Sequence, residues 1–170
     1  MVRKVFRTEN RCRVCQSEDL CYFCEKNRFI VLRCDSCGLV FVDHNMTHKE
    51  TLDYYSSAYD YHYPFVYSDI ARAAMDRYTL LLEVSSKKAG SLLDVGCSFG
   101  YFLNVAKLSG WSVKGVEVGH DCVVYARQKF GLDIYEGTLE QAHFDSSTLD
   151  VVTLFHVLEH MANPQIALLE

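Results

Sequence analysis

Two cysteine pairs of identical spacing, Cys12-Arg13-Val14-Cys15 and Cys34-Asp35-Ser36-Cys37, can each present two thiolates to one ion from a single tight turn. Eighteen residues, Gln16 through Arg33, separate them, within the spacing of a four-cysteine zinc site. Gly38 follows Cys37 directly and suits the sharp turn of a metal knuckle, where a positive backbone angle is needed. So few residues bury little core, so the expected Zn2+ would supply the missing stability. A third pair, Cys21-Tyr22-Phe23-Cys24, has an odd spacing that points its thiols to opposite faces of a regular strand. These two are read as ordinary strand cysteines, with a ligand swap or a second, partial site left open.

A different chemistry is suggested by Asp94-Val95-Gly96-Cys97-Ser98-Phe99-Gly100, which sits between a predicted strand and a predicted helix. Gly96 and Gly100 let the backbone approach a ligand that a side chain would block, and Glu117 ends the next strand about 20 residues on. From there a carboxylate can accept hydrogen bonds from ribose hydroxyls. The pattern departs from the dinucleotide fingerprint, whose second and third glycines would fall at Ser98 and Tyr101, and no Gly-Lys-Ser/Thr phosphate loop follows. Cys97 reads as a small buried residue, and Cys122 as a packing residue on a helix. Further along, His156-x-x-Glu159-His160 spells an inverted zinc-peptidase motif. Such a site needs another ligand downstream, and ten residues follow His160. The strand immediately before the motif fits the nucleotide-binding frame instead.

The elements that must position these groups alternate. Leu92 to Val95 reads as a first strand, Tyr101 to Leu108 as a helix stopped by Gly110, and Ser112 to Glu117 as a second strand. Asp121 to Phe130 fits a helix closed by Gly131, Asp133 to Tyr135 a third strand and Asp150 to Phe155 a fourth. A short helical turn follows, and then a helix opened by Asn163 and Pro164. The alternation predicts an α/β fold: a Rossmann-like parallel sheet with flanking helices, incomplete in this chain. A small β zinc ribbon precedes it, with strands near Leu20–Phe23 and Phe29–Leu32. The expected division is a zinc ribbon at 1–42, an aromatic connector at 43–67, and the N-terminal part of a nucleotide-binding domain at 68–170. That last part opens with a helix from Ser68 to Lys88, whose Ile70, Ala73, Ala74, Leu81 and Val84 recur at helical spacing.

Composition narrows the class. A net charge of −5 argues against a general nucleic-acid binder. Arg3, Lys4, Arg7, Arg11 and Arg13 read as a solvated leading segment. The start lacks a signal peptide and no apolar run is long enough to span a bilayer, so a cytoplasmic protein with no membrane partner is expected. There, eight cysteines suggest metal ligands or buried thiols before disulfides.

The glycine turn resembles the first motif of class I S-adenosylmethionine (SAM)-dependent methyltransferases, with Ser98 where that family often has glycine. Trp111 to Glu117 resembles the family's second strand, and Glu136-Gly137-Thr138-Leu139-Glu140 its segment after the third. Asp150 to His160 is similar to the fourth strand and turn of a bacterial subgroup. The ribbon resembles the zinc-binding leader, and the tyrosine-rich connector the linker, found on some of those enzymes. The resemblance implies a SAM-dependent enzyme transferring methyl to a small polar acceptor, such as a nucleotide-linked sugar or another metabolite. Gly96, Ser98 and Gly100 would flank the methionine part of SAM. Asp94 would orient the turn or the ligand's amino group, Glu117 would hold the ribose, Leu139 would face adenine, and Phe155 or His156 would close the pocket. His156 and His160 are the candidates for proton abstraction, and a divalent-ion role for Glu159 and His160 stays open. The family's sheet has seven strands and four are found here, so a fragment or a shortened relative is expected. The competing reading is a non-catalytic zinc-ribbon binding module on a degenerate nucleotide fold.

Overall fold

Three short runs near the N-terminus, Leu20–Lys26 (β1), Phe29–Cys34 (β2) and Val40–Asp43 (β3), pair antiparallel in the order β1-β2-β3. They come from a computed structural model that describes residues 10–27, 29–43, 48–57, 67–85, 89–161 and 164–170. Arg3, Lys4, Arg7, Lys88, Asn163 and the tyrosines at 59, 61 and 63 lie outside the described residues. One face of the small sheet carries Leu20, Leu32 and Cys34, buried with Cys12 and lined by Ile30, Leu39 and Phe41. This is a core of a few side chains.

The structure corrects the expectation for the third cysteine pair. Cys21 lies opposite Arg33 and Cys24 opposite Val31, with the register shifting between Tyr22 and Cys24. Phe23 is the extra residue of a β-bulge, which advances the alternation by one. Cys21 and Cys24 therefore share a face of β1, and the Cys21 thiol donates to Asp35 Oδ1 at 3.3 Å.

The stretch read as a connector begins as a helix, His48–Ser57 (α1). Next comes Tyr67–Val84 (α2), with Ala74 and Leu81 buried and Tyr78 packed beside them. Ala73 and Val84, expected on the same face, are exposed. Strands and helices then alternate through Ser91–Val95 (β4), Tyr101–Leu108 (α3), Ser112–Glu117 (β5) and His120–Phe130 (α4). Ile134–Glu136 (β6), Leu139–Ala142 (α5) and Val151–Thr153 (β7) follow, with a 3₁₀ turn at Leu158–His160 and a last helix, Pro164–Leu169 (α6). The chain forms two compact units: β1–β3 fall with α6 in one, and Leu52–His160 make up the other. Among the described residues no helix is long and apolar enough to cross a membrane.

The larger sheet is parallel and ordered β6-β5-β4-β7. The chain steps outward from β4 to β6, then returns past β4 to lay β7 on the other side. Strand order therefore reverses between β4 and β7, and in open α/β sheets the crevice at the strands' carboxyl ends there is where ligands bind. Leu92 and Leu103, with Phe102, Ala106, Val123, Ala126 and Ile134, form the core that clamps α3 and α4 to the sheet. Gly115 on β5 makes room for it, since a Cβ there would meet Ile134, Cys97 and Leu103 at 2.6–2.8 Å.

Leu103 has 0% of its surface exposed. Leu103→Ala should therefore cost about 2–5 kcal/mol of unfolding free energy through lost burial and a residual cavity. A lower urea midpoint at unchanged slope is the expected reading, and an unshifted midpoint would contradict this core.

Candidate functional site: a glycine turn beside two buried acids, and a four-cysteine cluster

The segment after β4 turns sharply because three alternate residues take the left-handed conformation: Gly96 (φ 70), Ser98 (φ 50) and Gly100 (φ 74). Glycine is required at the two outer positions by space as well as by angle. A Cβ at Gly96 would collide with the Val157 side chain, and one at Gly100 would lie 2.5 Å from Leu132 Cδ1. Ser98 has a side chain and bears the strain of its backbone angle, about 1–2 kcal/mol. Its N–H is what holds it there, donating to Glu117 Oε2 at 2.8 Å.

Glu117 is the knot of the site. It ends β5, is only 4% exposed, and its second oxygen accepts the Gly119 N–H at 2.8 Å. A buried carboxylate needs such partners. Each oxygen keeps a further lone pair, so the group can still accept hydrogen bonds from a ligand.

Asp94, 2% exposed on β4, is the second buried acid. The Thr153 hydroxyl of β7 donates to its Oδ1 at 2.7 Å. Burial pushes its carboxyl up to about 7, the Thr153 hydrogen bond and the Arg77 guanidinium pull it down, and the charge of Glu117 adds to the rise. Burial also drives the Cys97 thiol far above its ordinary range, which suits a packing residue and not a nucleophile.

The remaining sequence-predicted residues are placed as follows. Leu139 is buried at the start of α5, where Gln141 Oε1 accepts the Thr138 N–H at 2.9 Å. Phe155 follows β7 and meets Phe102 edge-on at a centroid distance of 5.3 Å, with the Arg77 guanidinium 5.2 Å from its own centroid. His156 is left-handed (φ 57) with its side chain 81% exposed, and Nδ1 lies 3.7 Å from Glu159 Oε1. His160 Nε2 is 4.0 Å from the same oxygen. The left-handed residue breaks the helix that a zinc-peptidase motif needs, so the two histidines are not one α-helical turn apart. Sequence reasoning missed Thr153, Val157, Gly119 and Arg77. A threonine closing the apolar run Val151-Val152 was the one available signal.

In the smaller unit, Cys12, Cys15, Cys34 and Cys37 converge, with all four sulfurs within 4.8 Å of one another. The Cys12–Cys37 and Cys15–Cys34 sulfurs are 3.6 and 3.5 Å apart. Thiolates at about 2.3 Å from a tetrahedral Zn2+ stand roughly 3.8 Å apart, so the set fits that ion. Among the described residues it is the only such group of three or more His, Cys, Asp or Glu side chains. The two knuckles are built alike. Gly38 (φ 79) donates its N–H to the Cys34 carbonyl at 2.9 Å, and Gln16 (φ 60) donates its own to the Cys12 carbonyl at 3.0 Å. In each, the residue after the second cysteine is left-handed and closes the turn on the first.

Comparison with known proteins bears on the sheet and its turn. The family model described as "Methyltransferase domain" matches residues 66–170. No curated protein matches. A SAM-dependent methyltransferase from Mesorhizobium loti is 23% identical, with 50% of this chain and 40% of that one covered and a TM-score of 0.42. An amino pentose methyltransferase from Micromonospora echinaspora, solved with SAM bound, is 27% identical over 50% of this chain and 36% of its own, at a TM-score of 0.39. Phosphoethanolamine N-methyltransferase 1 of Haemonchus contortus, solved with phosphoethanolamine and S-adenosylhomocysteine, is 16% identical. It covers 64% of this chain and 26% of its own at a TM-score of 0.50, a likeness of fold. The chain thus spans 40% and 36% of the first two of these structures. The family match takes in the whole sheet, its glycine turn and both buried acids, and covers more than half of the chain: this protein belongs to the methyltransferase domain family.

Proposed function

We propose that this chain holds SAM at the β4–β7 switch point of a methyltransferase acting on a small polar acceptor. The observation that carries the reading is Glu117, a buried carboxylate tied to the glycine turn through Ser98, with acceptor capacity left for ribose hydroxyls. Gly96, Ser98 and Gly100 would present bare backbone to the methionine part, and Asp94 would face its ammonium. Leu139 and Phe155 would border the pocket with apolar surface. His156 or His160 would take a proton from the acceptor where the acceptor must lose one. When bound, SAM supplies a methyl group on a sulfonium, activated for displacement. The residues contribute binding, orientation and exclusion of water. The four-cysteine cluster is read as a closed structural Zn2+ site, which would hold together a sheet with too little core of its own.

Calorimetry should detect SAM binding to the wild type, and Glu117→Ala should weaken it about tenfold to a hundredfold, the worth of a charge-assisted hydrogen bond of about 1.5–3 kcal/mol. Circular dichroism would check that the variant folds. Binding of NAD in place of SAM would overturn the reading. Asp94 adds a pH signature. A cation brought beside a carboxyl held near 7 lowers its pKa, so SAM binding at about pH 6.5 should release a proton that binding at about pH 8.5 does not. Titrations in buffers of different ionisation enthalpy measure this, and Asp94→Asn should abolish it. Purified protein should carry about one zinc per chain, lowered by Cys34→Ser. Full zinc retention in that variant, measured by elemental analysis, would refute the four-cysteine assignment.

A further inference from the structure

The four cysteines of the cluster do not meet water alike. Cys12 and Cys34, the first of each knuckle, are 0% exposed, whereas Cys15 and Cys37, the second of each, are exposed. An oxidant dissolved in water therefore reaches one sulfur in each knuckle. Beside each exposed sulfur stands a buried one from the opposite knuckle: Cys15 is 3.5 Å from Cys34, and Cys37 is 3.6 Å from Cys12. A disulfide measures about 2.05 Å, so each pair needs to close by roughly 1.5 Å. Cys21 and Cys24 lie outside the cluster, and the Cys21 thiol is engaged with Asp35.

The thiolate is both the form that binds zinc and the form that oxidants attack. We propose that the cluster is an oxidation site, at which hydrogen peroxide converts its thiolates into two disulfides, Cys15–Cys34 and Cys12–Cys37, and the ion is released. In each pair the exposed thiolate attacks one peroxide oxygen. The O–O bond breaks, hydroxide leaves and a sulfenic acid forms. The buried thiolate then attacks that sulfur, the S–O bond breaks, and a second hydroxide departs with the electron pair. Two thiolates are thereby oxidised to one disulfide, and one peroxide is reduced to two hydroxides. Disulfide sulfurs carry no thiolate charge, so the donor set for the ion is gone. The crossed pairing also matters for the fold. Its links span 19 and 25 positions, and longer loops constrain the unfolded chain more than a link inside one Cys-x-x-Cys turn. Ion and crossed disulfides therefore tie the same two turns together. The inference rests on the zinc reading above and adds to it a second, covalent way of closing the ribbon.

The test treats the zinc-loaded full chain with hydrogen peroxide and follows released ion with a chromogenic chelator. Linkages are then mapped by mass spectrometry after alkylation in denaturant without reductant. About one zinc per chain should be released for about two peroxides consumed. The mapped links should be Cys15–Cys34 and Cys12–Cys37, with Cys21, Cys24, Cys97 and Cys122 recovered as alkylated thiols. A thiol reductant with added zinc should restore the starting state. The oxidised, metal-free ribbon should resist a protease between Cys12 and Cys37, whereas chain stripped of zinc under reductant should be cut there. These readings need no variant of the cluster, and a Cys21→Ser, Cys24→Ser double variant should give the same release and the same links. Links within one knuckle, or links to Cys21 or Cys24, would overturn the proposal. So would zinc held throughout the peroxide treatment, or zinc lost with only sulfinic and sulfonic acids formed. An oxidised ribbon cut as readily as the stripped one would remove the covalent closure and overturn it as well. A chain that purifies without zinc and takes none up would bring down the metal reading itself, and this inference with it.

Discussion

A carboxylate removed from water must be surrounded by donors, and at Glu117 those donors are two backbone N–H groups from different loops. Ser98 comes from the turn after β4, and Gly119 from the turn that starts α4. One side chain at the end of β5 thereby sets the geometry of both. The left-handed Ser98 is tolerated because its amide is directed at that acid. Gly96 and Gly100 then take the angles and the space that the resulting loop demands. Without that side chain, the Ser98 and Gly119 N–H groups would both lose the acceptor they share.

The same constraint shapes its neighbour. With Glu117 buried nearby, Asp94 meets desolvation and a like charge at once, and its carboxyl is held near neutrality. Thr153 and Arg77 oppose that rise, one by a hydrogen bond and the other by charge. Asp94 thus sits between groups that raise its pKa and groups that lower it.

The ribbon depends on a separate and more local device. Each Cys-x-x-Cys turn closes through the residue just after it, and a glycine in one and a glutamine in the other adopt the same left-handed angle. The buried side chains around it are few, so the convergence of four sulfurs is the main feature that could stabilise the sheet. The bulge at Phe23 places Cys21 and Cys24 on one face while leaving them out of that cluster.

What the sequence determined by itself was local. Cysteine spacing, the glycines of the turn and the acid closing the second strand are patterns within about 25 residues of one another, and short-range geometry dictates their roles. The alternation of strands and helices was legible for the same reason, since apolar periodicity is a property of each segment. The tertiary structure alone decided the rest. Parallel pairing of β4 with β7 brings Thr153 to Asp94 across 59 positions and sets Val157 against Gly96. The register shift in β1 depends on how β2 pairs with it, so an odd cysteine spacing could not reveal a shared face. Helical spacing picked out Ala74 and Leu81 but did not single out Arg77. Only packing could show that it lies on the buried side, over Phe155 and near Asp94, because a helical period fixes which residues share a face but not what that face meets.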